Sequence, residues 1–96
     1  MFYVYVLRSL KDGQLYTGVT ADLKRRLREH HAGKTRSLRG RRPLELVYTE
    51  EYTSKAQAMA RERFFKTPAG GVVKQALVAE AMRRRQARPA EGWQSG

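Results

Sequence analysis

No cysteine occurs among the 96 residues, which excludes disulfides, thiol nucleophiles, zinc ribbons and iron–sulfur clusters together. Any metal must sit on oxygen or imidazole. No apolar run approaches the roughly 18 residues needed to cross a bilayer. The opening MFYVYVLRSL also lacks the basic start and cleavage-type end of a secretion signal. The expectation is therefore a cytoplasmic protein without a membrane partner. No Ser-His-Asp arrangement and no phosphate-cradling GxxxxGKS loop is visible. His30 and His31 are adjacent, so on a helix they point about 100° apart and cannot face one ion.

Acid is also scarce, at nine residues against twenty Lys and Arg, for a net charge of +11. Arginine outnumbers lysine fourteen to six, and its planar fork suits phosphate. The charge is clustered: Lys24, Arg25, Arg26, Arg28, Lys34, Arg36, Arg39, Arg41 and Arg42 meet only Glu29 between them. No apolar face accompanies this stretch as it would in an interfacial helix. Nucleic acid is the partner this pattern favours, over a merely solvated basic surface.

A chain this short holds one core, and 41% apolar residues suffice for it. Phe2 to Leu7 is β-branched or aromatic throughout, with apolar bodies in both alternating sets, which predicts a strand covered on both faces. Asp12-Gly13 predicts a hairpin turn into a second strand, Leu15 to Thr20. Gly18 inside that strand implies a close backbone approach or a bulge. Asp22 caps a helix with Leu23, Arg26, Leu27 and His30 on one face, ending near Gly33. Lys34 to Arg42 has no periodicity and is expected to be a basic loop. Leu44 to Glu51 is a third strand. Ser54 to Gln57 fits a capping box for a helix with Ala58, Met59, Glu62 and Phe65 inward, stopped by Thr67-Pro68. A last helix is expected from about Val72 to Arg85, with Val73, Ala76, Leu77 and Ala81 inward. The order β-β-α-β-α-α predicts a small α/β (α+β) domain over residues 1–85, with a three-stranded antiparallel sheet flanked by helices. Residues 86–96, with Trp93, are expected to be a flexible tail.

Two helices carry a charge within an apolar stripe, Arg26 and Glu62. Burying either alone costs several kcal/mol. Either the two pair with one another across the core, or both converge on a cleft. Tyr3, Tyr5 and Tyr16 lie on strands that the turn makes neighbours, and their rings are compatible with simple core packing.

In these residues the chain resembles the GIY-YIG endonuclease superfamily, in particular its small stand-alone bacterial members related to the UvrC N-terminal domain (the UPF0213 type). The resemblance covers about Met1 to Ala79. Tyr3-Val4-Tyr5 stands for the first motif, with Tyr3 where the family has glycine, and Tyr16-Thr17-Gly18 for the second. Arg26 follows Tyr16 by ten residues as the family's arginine does, His30 falls where many members have His or Tyr, and Glu62 falls on the metal-binding glutamate. Val19 stands where some relatives place a lysine.

The resemblance implies a metal-dependent DNA endonuclease, structure-selective or weakly specific, serving repair or recombination. Glu62 would hold a single Mg²⁺ or Mn²⁺, Arg26 the scissile phosphate, and Tyr16 would help deprotonate water, with Tyr5 and His30 as orienting groups. A phenol is about 0.1% ionised at neutrality, so an alkaline optimum is expected. DNA contacts are assigned to Lys24, Arg25, Arg28, Lys34, Arg36, Arg39, Arg41 and Arg42, which read backbone and shape. RNA remains an alternative substrate, and one site cutting one strand implies a monomer. Two other functions fit the same residues: a nucleic-acid-binding module without cleavage, and a basic RNA- or ribosome-associated factor.

Overall fold

A computed structural model describes the backbone of residues 1–95 and the side chains of residues 1–86. Its elements are β1 (Phe2–Ser9), β2 (Leu15–Thr20), α1 (Leu23–His31), α2 (Arg36–Arg39), β3 (Leu44–Tyr52), α3 (Lys55–Phe65) and α4 (Pro68–Ser95). The strands form one antiparallel sheet in the order β2-β1-β3. Because β1 is central, it is apolar on both sides: Val4, Tyr5, Val6 and Leu7 are all buried.

The two faces carry different layers. Tyr5 and Leu7 pack with Leu38 and Leu44, and with Tyr16, Leu23 and Leu27, beneath α1 and α2. On the other face Val4 packs with Ala58 and Phe65, and Val6 with Val47 and Val78, beneath α3 and α4. The hairpin closes as its sequence demands, with Gly13 at φ +75° and the Asp12 carboxylate accepting from Gln14 N at 2.9 Å. Asp22 caps α1 by accepting from Arg25 N at 3.1 Å, and Ser54 caps α3 by accepting from Gln57 N at 3.3 Å.

Several expectations are corrected. Within the supposed loop 34–42, residues Arg36–Arg39 form a short helix, because Leu38 is 3% exposed and needs the turn to reach the core. The last helix starts at Pro68 and not near Val72: proline suits the first helical position, where its missing N–H costs nothing. The inner stripes also rotate. Met59 (39% exposed) and Val73 (38%) point outward, while Arg61 and Lys74 take partly buried places beside Phe65 and Val78. Contact between α3 and α4 sets the second rotation: a Cβ on Gly70 would lie 1.6 Å from the Phe64 carbonyl oxygen, so only glycine allows the approach. Nor does α4 end near Arg85: its backbone continues to Ser95, through the stretch expected to be a tail, while the side chain of Trp93 lies outside the described residues. No described helix is long and apolar enough to cross a membrane.

Candidate active site

The site forms at the β2 edge of the sheet. Tyr5 on β1 is paired with Gly18 on β2, and its ring passes directly over that residue: a Cβ at Gly18 would sit 2.4 Å from Tyr5 Oη. The glycine inside the strand is thus a window for a side chain, the Tyr5 phenol, in place of the close backbone approach or bulge its position implied.

Beyond the window, Tyr5 Oη lies 2.8 Å from His30 Nε2, and His30 Nδ1 lies 2.7 Å from Thr35 Oγ1. Arg26 Nε donates to Tyr5 Oη at 3.4 Å, and its Nη1 donates to Glu29 Oε1 at 3.0 Å. Tyr16 completes the group, its ring centroid 6.4 Å from Tyr5 and 5.7 Å from His30. The spacing of α1 explains the arrangement, since positions 26 and 30 share one face that covers the hairpin.

Burial differs sharply within this cluster and divides the labour. His30 is fully buried, and desolvation, helped by the Arg26 charge, holds its pKa below the ordinary value. It is a neutral imidazole with one donating and one accepting nitrogen. Burial likewise pushes the Tyr5 phenol up, opposed by the hydrogen bond from Arg26. Tyr5 therefore keeps its proton and orients its neighbours. Arg26 is held firmly charged by its bonds to Tyr5 and Glu29, and its side chain is 38% exposed. It carries a cation from the buried network out to solvent. Tyr16 is only partly buried, and among the described residues its hydroxyl has no partner.

Glu62 approaches from α3. It accepts from Lys66 Nζ at 3.2 Å across one helical turn, and its charge adds to the upward push on Tyr5. Arg26 and Glu62 do not pair with one another: each has its own local partner, so the core ion-pair alternative is set aside. Tyr3 lies at the margin, opposite Thr20 in the ladder.

Among the described residues no three His, Cys, Asp or Glu side chains converge as a closed metal cage. A lone carboxylate does fit a divalent ion of the Mg²⁺ type, which keeps water and takes substrate phosphate oxygens into its shell.

The basic residues separate into two groups. Lys24, Arg25 and Arg28 are exposed on α1, Lys34 in the connection after it, and Arg36 at the start of α2. Arg39, Arg41 and Arg42 are exposed as well, but Arg39 donates to Gly33 O, Arg42 to Arg39 O and His31 O, and Arg41 to Asp12. These last three brace the α2 segment. Sequence reasoning missed Thr35, Lys66 and Lys74. Thr35 follows His30 after the αL turn at Gly33, and no periodicity marks it.

The family model described as the GIY-YIG catalytic domain matches residues 1–70, and the chain belongs to the GIY-YIG family. It is 52% identical over 66 residues to a UPF0213 protein of the archaeon Natronomonas pharaonis, covering 68% of this chain and 76% of that one. It is 49% identical over 65 residues to a UPF0213 protein of Streptococcus agalactiae, covering 67% and 73%. The solution NMR structure of the UPF0213 protein BH0048 from Bacillus halodurans is similar at a TM-score of 0.50 and 40% identity, over 80% of this chain and 85% of that one.

Proposed function

We propose that the protein is a metal-dependent endonuclease that hydrolyses phosphodiester bonds in DNA with little sequence preference. The observation that carries this reading is Arg26: one side chain is anchored on the buried Tyr5–His30–Thr35 chain yet reaches solvent, and the charge of Glu62 is felt at the same Tyr5.

In this reading Arg26 binds the scissile phosphate and offsets its developing charge. Thr35 and Tyr5 fix the His30 tautomer and plane, and through Tyr5 the direction of the Arg26 fork. Tyr16, whose hydroxyl is open, orients the attacking water and helps to draw its proton. Glu62 would hold Mg²⁺ or Mn²⁺, which when bound supplies Lewis-acid polarisation of the phosphate. Lys24, Arg25, Arg28, Lys34 and Arg36 hold the flanking backbone, which gives affinity without base readout.

One observation favours binding without cleavage: Lys66 already neutralises Glu62. The two readings are separated by incubating labelled single-stranded, duplex, flap and four-way DNA, and a matched RNA, with Mg²⁺, Mn²⁺ or EDTA. The endonuclease reading requires metal-dependent cutting that disappears in Glu62→Ala while DNA binding persists or strengthens. Salt-sensitive binding with no cutting under any condition would leave the binding module in its place.

A further inference from the structure

Lys74 occupies a position where the packing of α4 calls for an apolar residue. The inward stripe of that helix runs Gly70, Lys74, Leu77, Val78 and Ala81, and Val73, one position away, is turned to solvent. Lys74 Nζ donates to Thr17 Oγ1 at 3.2 Å, and Thr17 is itself 2% exposed. Thr17 stands between Tyr16 and Gly18, so it leaves β2 on the opposite face of the same edge strand.

The ammonium has three N–H groups and Thr17 takes one. Among the described residues no carboxylate lies within ion-pair distance of it. Burial and the like charge of Lys66 both work against the protonated amine. The contrast with Arg61, in the same layer, is informative. That guanidinium is also half-buried, but it is gripped by both oxygens of Glu50 at 2.9 and 3.1 Å. A desolvated cation without a counter-charge is costly to keep. Its cost is offset when an anion arrives.

We propose that Lys74, aimed by Thr17 and flanked by Lys66, binds a backbone phosphate next to the one held by Arg26. The nucleic-acid strand then crosses the outer edge of β2, with one phosphate on the Tyr16 face and its neighbour on the Thr17 face. This rests on the nucleic-acid reading above and adds a second subsite to it.

The test is fluorescence anisotropy of a labelled single-stranded oligonucleotide over a salt series, with EDTA present so that binding is read without turnover. Lys74→Met should weaken binding about ten-fold. The plot of log affinity against log salt should become shallower by about 0.7, one phosphate contact. Lys74→Arg should restore most of both, and Lys55→Met, at an exposed position on the first turn of α3, should leave the slope alone. The Tm of Lys74→Met should equal or exceed that of the parent, because a poorly solvated cation has been removed.

An unchanged slope in Lys74→Met overturns the proposal. So does a fall in Tm accompanied by a binding loss that Lys74→Arg does not rescue, since that is the behaviour of a structural lysine. Failure of the nuclease reading looks different: the parent then binds, and Lys74→Met still flattens the slope, but no metal yields cutting. A parent that binds no nucleic acid removes both.

Discussion

Tyr5 Oη and His30 Nε2 lie 2.8 Å apart with both residues sealed from solvent, Tyr5 at 1% exposure and His30 at 0%. This pair joins the central strand to α1 and fixes where Arg26 can point. The direction of the Arg26 side chain therefore depends on a hydrogen bond made inside the domain.

The pair has a pH signature. Burial lowers the His30 pKa from its ordinary 6.5, so the unfolded chain takes the proton more readily than the folded one. The contribution of the neutral imidazole is then complete above pH 6.5 and is lost as pH falls through the lowered folded-state value. His30→Gln should melt lower than the parent at pH 8, by an amount corresponding to about 2 kcal/mol. The gap should narrow between pH 6.5 and the carboxylate range. Parallel melting curves across that window would show that another group governs it.

Gly18→Ala tests the window. The new methyl would lie 2.4 Å from Tyr5 Oη and 2.5 Å from Cζ, and the phenol is held where it is by His30 and Arg26. Overpacking of this kind costs about 1–3 kcal/mol. Displacement of the phenol from His30 and Arg26 should lower the cleavage rate constant on the order of 100-fold, with the far-UV spectrum unchanged. A variant that cuts as fast as the parent would show that Tyr5 need not sit where it does.

On the opposite face, Glu50 accepts from Tyr48 Oη at 2.6 Å, Tyr52 Oη at 2.7 Å and both nitrogens of the Arg61 fork. Arg61 in turn lies 4.5 Å over the Phe65 ring. Burial first, and then the bond to Glu50, push the Tyr48 phenol up to about 12. Glu50→Ala should cost about 2–3 kcal/mol in chemical denaturation, because it orphans a guanidinium and two phenols. In a spectrophotometric titration Tyr48 should ionise earlier in the variant, though still late, since its burial remains. An unaltered titration would assign the late phenol elsewhere.

The sequence by itself determined most of the local structure. The alternation in Phe2 to Leu7, the Asp12-Gly13 turn and the Asp22 and Ser54 caps act between neighbours in the chain, and each forms as its residue types require. It also marked Arg26 and Glu62 as charges out of place, because helical period depends only on spacing. The tertiary structure decided which faces meet. The approach of Gly70 to the Phe64 carbonyl sets α4 in rotation and turns Lys74, not Val73, inward. The core position of Leu38 winds a basic stretch into α2, which brings Thr35 under His30. Arg26 and Glu62 find Glu29 and Lys66 and leave each other free. Backbone contacts between elements distant in the chain choose these settings, and no periodicity within a single segment records them.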